Sequence, residues 1–277
     1  MPTQNVFLTG SETYTGNPLN DDFTVTDNSV GSNTLTLGSG VDLVTLNDAG
    51  SNTVVLGDGN DQVTAEGGSN SNTLTVGNGN NQVTVTGSSN TITVGTGMNA
   101  IALGAGNPNM LSTDAGDNTV TVAGTAVSGD TIHGAVTSND GTTNQLIMTS
   151  PGTMNPVAVY GFQSYQLANG GANSLTLSEG NFLNLPEGSI TVLGGDSGNT
   201  VNAASLSSAH SVVIEAGSGL DVLTGGGGDD RFIFAASNLS ADTVAGGAGN
   251  NTLELATGPG MGTVTGLGGM NFSNLGV

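Results

Sequence analysis

Between Gly31 and Gly106 the chain returns to the same pattern about every 19 residues, and so short a period leaves few folds open. Asp42, Asp61, Asn81 and Asn99 fall in one column with steps of 19, 20 and 18 residues, and Asn33, Asn52, Asn72 and Asn90 fall in a second column with the same steps. Each repeat has two short β-prone runs and two polar corners. The runs alternate at period two. Leu35 and Leu37, Val54 and Leu56, Leu74 and Val76, and Ile92 and Val94 point inward from one wall. Val44 and Leu46, Val63 and Ala65, Val83 and Val85, and Ile101 and Leu103 point inward from the other. A single repeat buries too little to be stable, so neighbours must stack to complete the core and pair the backbone. The expected fold is all-β, a right-handed parallel β-roll or β-solenoid with about 19 residues per rung.

Paired glycines, such as Gly57 with Gly59 and Gly77 with Gly79, fall where the chain must turn between walls. With 47 glycines the chain would otherwise resemble a flexible linker, but linkers lack a repeated apolar column. Lys and Arg total 1 against 22 Asp and Glu, a formal charge of -21. That balance disfavours nucleic-acid backbones and anionic lipid, and makes cations the expected partners. The chain has no cysteine, which removes thiol chemistry. Its opening residues, MPTQNVFLTGSETYTG, have neither a basic region nor a long apolar run, so no ordinary secretory signal or transmembrane segment is expected. No HExxH, Walker loop or GxSxG is present, and His133 and His210 are isolated, so catalysis is not expected.

The segments GSGVDLVTL and GDGNDQVTA resemble the nonapeptide GGxGxDxUx of the RTX, or haemolysin-type, calcium-binding repeats. AGSGLDVLTGGGGDDRFIF, with Asp221 and Asp230 nine residues apart, is a closer match. The resemblance implies calcium between stacked corners, held by aspartate carboxylates and glycine carbonyls. Applied here, it implies ligands at Asp42, Gly57, Asp58, Gly59 and Asp61, and again at Gly217, Gly219, Asp221, Gly226, Gly228 and Asp230, completed by Asp196 or Asp242. Ca²⁺ takes about six to eight oxygens, many of which tight corners can supply from the backbone. Where the column changes to Asn81 and Asn99, a metal-free hydrogen-bonded ladder is expected instead. The resemblance further implies a secreted or bacterial cell-surface protein exported by a type I system. The abrupt close at NFSNLGV suggests a piece of a larger chain.

Two sections are expected: residues 1–150, an N-terminal cap with solenoid repeats, and residues 151–277, a second solenoid section with RTX-like repeats. Pro151, Pro156, Tyr160, Phe162 and Tyr165 mark the change, and the rings are expected to fill a wider core together with Phe182. The functional expectation is a calcium-stabilised extracellular scaffold that self-assembles in a bacterial surface layer or matrix. The alternative is an adhesin, carbohydrate-binding or spacer module of a larger secreted protein, with cell-surface polysaccharide as partner. Thr-x-Thr pairs at Thr34, Thr73, Thr91 and Thr119 add an ice-binding face as a further reading.

Overall fold

A computed structural model describes residues 3–18, 21–28, 30–47, 50–66, 71–106, 108–124, 127–135, 143–235, 242–256, 271–273 and 275–276. They form a parallel β-solenoid, with only two short 3-10 turns, Val127–Gly129 and Glu179–Phe182, among the described residues. The chain divides into two compact units: Met1–Val122 with Gly129–Asn144, and Ala123–Ser128 with Gln145–Val277.

In the first unit, one sheet stacks Gln4–Leu8, Phe23–Asp27, Leu43–Leu46, Gln62–Ala65, Gln82–Val85, Ala100–Leu103 and Thr119–Val122. The facing sheet stacks Thr13–Thr15, Thr34–Thr36, Thr53–Val55, Thr73–Val76, Thr91–Val94, Met110–Thr113 and Thr131–Gly134. One strand from each sheet makes a rung. Parallel pairing places like residues over like: Val25, Val44, Val63, Val83, Ile101 and Val120 form one buried column. Leu35, Val54, Leu74, Ile92, Leu111 and Ile132 form the column opposite. Each fully buried side chain of this size is worth about 1.5–3 kcal/mol, and only a neighbouring rung provides the burial.

The corners stack as tightly as the strands. A Cβ at Gly59 would collide with the carbonyl oxygen of Gly40, and one at Gly79 with that of Gly59. Gly79 also has φ +138, a conformation that L side chains rarely adopt. Glycine is required there because backbone meets backbone directly between rungs.

The second unit stacks Gln145–Met148, Ser164–Gln166, Ser189–Leu193, Ser211–Glu215, Arg231–Ala235, Asn251–Ala256 and Leu275–Gly276 in one sheet. Thr153–Met154, Asn173–Thr176, Asn199–Asn202, Val222–Thr224, Thr243–Ala245 and Asn271–Ser273 make the other. Its rungs vary more in length, from 18 residues between Val213 and Arg231 to 26 between Asn173 and Asn199. Larger rings fill the core: Phe162, Tyr165, Phe232 and Phe234 are wholly buried. Phe182 closes one corner, with its ring stacked on His210 at 4.3 Å between centroids. Asn181 fixes that turn by donating from its amide to the carbonyls of Pro156, at 2.6 Å, and Val159, at 2.8 Å.

Candidate metal centre at the aspartate corners

The polar columns lie just before each strand and are buried. A corner residue there has its backbone N–H directed at the next rung and its side chain directed across the turn, so identical residues stacked in register can bond one another. The Asn rungs show the complete arrangement. The Asn81 amide nitrogen donates to the carbonyls of Gly77 at 2.9 Å and Gly79 at 3.2 Å, and to Asn99 Oδ1 at 3.0 Å. The Asn99 amide nitrogen donates likewise to Gly95 at 3.0 Å, Gly97 at 3.3 Å and Asn118 Oδ1 at 2.8 Å. Asn118 repeats the pattern with Asp114, Gly116 and Asn144. Each amide therefore fills a small socket bounded by the carbonyls four and two residues upstream and by the oxygen of the next rung. The expected Asn81–Asn99 ladder is present.

The same column begins with two aspartates. Asp42 Oδ1 accepts the Phe23 N–H at 3.0 Å, and the Asp42 N–H donates to Asp61 Oδ1 at 2.9 Å. The Asp61 N–H donates in turn to Asn81 Oδ1 at 3.0 Å. The backbone half of the ladder is thus unchanged. The other half is not: Asp42 Oδ2 and Asp61 Oδ2 are buried and have no hydrogen-bond partner. Where asparagine presents an NH₂ to the corner carbonyls, aspartate presents a second acceptor. Counting four and two residues upstream of Asp61 reaches Gly57 and Gly59, the glycines that the RTX resemblance nominates.

Burial pushes the Asp42 carboxyl up to about 6, against the lowering effect of the Phe23 N–H, with the Asp22 charge adding to the rise. Asp61 is pushed to about 7, again by burial first, with the charges of Asp42 and Asp58 raising it further. A buried carboxylate oxygen without a donor requires either a proton or a cation, and a hard oxygen-seeking cation suits a carboxylate at a turn rich in backbone carbonyls.

The second unit repeats the substitution in its own column. The Asn173 amide reaches Ala168, Gly171 and Asn199 Oδ1. Asp221 Oδ1 accepts from the Asn199 N–H at 2.7 Å and amide at 3.0 Å, and the Asp221 N–H donates to Asp242 Oδ1 at 2.8 Å. Asp221 Oδ2 and Asp242 Oδ2 are buried without a partner. Burial pushes Asp221 to about 6 and raises Asp242. Gly217 and Gly219, four and two residues before Asp221, both have positive φ, +79 and +105.

The remaining nominated residues are arranged differently. Asp230 Oδ1 accepts the Val212 N–H at 2.8 Å and its Oδ2 accepts the Gly226 N–H at 2.7 Å, so both oxygens are engaged by backbone donors. Gly226 turns a donor toward this carboxylate, and Gly228 packs against the His210 carbonyl. Asp58 and Asp196 face solvent. Asp58 Oδ1 accepts the Asn78 N–H and amide, each at 2.9 Å, and Asp196 Oδ1 accepts the Gly170 N–H at 2.6 Å. Both staple exposed outer corners.

Asp130 carries no motif that marks it in the sequence. It ends the column Asn33, Asn52, Asn72, Asn90, Asn109, where each backbone N–H donates to the next Oδ1, the last from Asn109 to Asp130 at 2.7 Å. Its Oδ2 is a further buried orphan, and burial pushes its carboxyl to about 6. The signal was its position 21 residues after Asn109, obscured because no paired glycines precede it.

The outward side of the facing sheet in the first unit carries the threonine pairs that begin at Thr34, Thr73 and Thr91 in register, whereas Thr119 lies in the other sheet. Thr13, Thr34, Thr53, Thr73 and Thr91 make one row, and Thr15, Thr36, Val55, Thr75 and Thr93 a second. Met110 and Ser112 end the array. Among the described residues no three His, Cys, Asp or Glu side chains come together as a metal-binding group. His210 Nδ1 pairs with Glu179 at 2.7 Å, and Arg231 pairs with Glu254 on the next strand. No helix among the described residues is long and apolar enough to cross a membrane. Comparison with protein-family models, with curated proteins and with solved structures finds no match.

Proposed function

We propose that this chain is a calcium-stabilised extracellular structural scaffold contributing to a bacterial surface layer or matrix. The observation that carries the reading is the set of buried, partnerless Oδ2 atoms on Asp42, Asp61, Asp221 and Asp242, each in a corner where asparagine elsewhere supplies a hydrogen-bond donor. Ca²⁺ would be held by these carboxylates together with corner carbonyls such as those of Gly57, Gly59, Gly217 and Gly219. Its chemistry is to neutralise carboxylates and cross-link turns; the chain's own residues supply the rigid frame. Since no group of three acidic or imidazole side chains comes together among the described residues, backbone oxygens would complete the shell, as hard-cation coordination allows.

Isothermal titration of the full chain with Ca²⁺ after EGTA treatment, with Mg²⁺ as the competing ion, tests this. Saturable Ca²⁺ binding, lost in Asp61→Ala combined with Asp221→Ala, supports it. No binding heat and an unchanged melting temperature on calcium addition rule it out. Light scattering and negative-stain imaging across a calcium titration test assembly: a calcium-loaded chain that stays monomeric at all concentrations removes the lattice or matrix role and leaves the spacer or adhesin role.

The two rows of threonine, exposed or half-buried and interrupted at Val55, favour a second reading, an ice-binding face. Threonine has few rotamers, so a flat sheet holds its hydroxyls and methyls in a repeating two-dimensional grid. Growth inhibition of ice crystals that disappears in Thr73→Lys but survives in Thr84→Lys on the opposite sheet supports it, and no effect on ice by the wild type removes it.

A further inference from the structure

We propose that the corner socket accepts either an asparagine amide or a divalent cation, so that in the column from Asp42 to Asn118 and in the column from Asn173 to Asp242 the residue at the column position decides, rung by rung, which corners need metal. The ionic half of this rests on the calcium reading above. The observation beyond it is that three successive rungs fill the socket with the protein's own NH₂ group. Asn81, Asn99 and Asn118 each donate to two corner carbonyls and to the following column oxygen, at distances between 2.8 and 3.2 Å for the first two rungs apart from the 3.3 Å bond to Gly97. Asp42 and Asp61 keep the same backbone bonds on the same column, and leave the socket without a donor. Asparagine and aspartate have the same shape, so the exchange changes a donor into an acceptor without moving the turn.

The geometry therefore divides the first unit. Gln82–Val85 and Ala100–Leu103 follow self-sufficient corners, whereas Leu43–Leu46 and Gln62–Ala65 follow corners that require an added positive charge. In the second unit the Asn173 and Asn199 corners are likewise filled from within, and Asp221 and Asp242 are not. Calcium loss then loosens one part of each unit and leaves a folded remainder to which that part can return, instead of unfolding the whole chain.

Hydrogen exchange read by peptide, on the full chain in Ca²⁺ and in EGTA at neutral pH, tests the division. In EGTA the amides of 43–46 and 62–65 should exchange faster by about tenfold to a hundredfold, the factor corresponding to a buried polar group left unpartnered, while those of 82–85 and 100–103 stay protected. The double variant Asp42→Asn with Asp61→Asn should keep its protection in EGTA and bind less calcium than the wild type. Asn99→Asp should transfer EGTA sensitivity to 100–103, and should the variant not fold, the Asp→Asn pair carries the same test alone. If the wild type binds calcium and EGTA loosens all four strands equally, the socket inference is wrong and the calcium reading survives. If the Asp→Asn pair retains full EGTA sensitivity at 43–46 and 62–65, the inference also fails. A wild type that binds no calcium overturns both.

Discussion

The Asn81–Asn118 corners and the Asp42–Asp61 corners belong to one column, share one backbone geometry and differ by NH₂ against O. In the first set every socket holds a donor; in the second it holds an orphaned oxygen whose carboxyl burial has pushed to about 6 or 7. The difference shows how a solenoid can keep its shape constant while varying what it needs from solution. A regular asparagine ladder is self-contained, and an aspartate whose second oxygen meets no donor, as at Asp42 and Asp61, creates a demand for a proton or a cation.

The largest effect should come from breaking the self-contained set. Asn99→Leu removes the acceptor for the Asn81 amide and backbone N–H and the donor to Gly95, Gly97 and Asn118, all buried except the half-buried bond to Gly97. A loss of about 3–5 kcal/mol is expected from several unsatisfied groups at one site, read as a lower denaturant midpoint with the slope unchanged. Asn99→Asp keeps the acceptor and removes only the donor. Its expected cost without calcium is about 1–3 kcal/mol, and calcium should recover most of it.

Next in size is the reverse exchange. Asp61→Asn supplies the missing donor and should stabilise the calcium-free chain by about 1–2 kcal/mol at neutral pH, with little gain once calcium is present. A stabilisation that is the same with and without calcium would separate the orphaned oxygen from the cation.

Acidity sharpens the same contrast. Asp42, Asp61, Asp130 and Asp221 have folded values raised to about 6 or 7 from an ordinary 3.8, so the folded state holds protons more tightly than the unfolded chain. Their contribution to stability is therefore fully present below 3.8 and lost as pH rises through 6 to 7. In EGTA the wild type should melt at a higher temperature in mildly acidic buffer than at neutral pH, and calcium should flatten the profile by replacing the proton. The Asp42→Asn and Asp61→Asn pair should make it shallower without calcium, with Asp130 and Asp221 supplying the slope that remains. A profile with the opposite slope would count against the buried carboxyls as its source.

The smallest effect should be at Asp58, whose exposed carboxylate accepts from Asn78. Asp58→Asn keeps an acceptor there, so a change within about 0.5 kcal/mol is expected, and calcium affinity should scarcely alter. A large fall in affinity would move the cation from the inner socket to the outer corner.

By itself the sequence determined the period, the inward alternation of Val, Leu and Ile, the glycine corners and the two polar columns, because each is a local spacing that parallel stacking reproduces on every rung. Motif spacing also marked Asp42, Asp61 and Asp221, since paired glycines precede each of them. Only the tertiary structure separated carboxylates that the motif treats alike. Asp58 and Asp196 turn to solvent, Asp230 has both oxygens satisfied by backbone N–H groups, and Asp130 emerges as a buried orphan without a motif. The reason is that the first carboxylate oxygen is positioned by the adjacent rung in register, whereas the fate of the second depends on whether the packed turn offers it a donor, a carbonyl or water. That choice is made by backbone groups whose direction is set when the rungs stack, and residue spacing does not carry it.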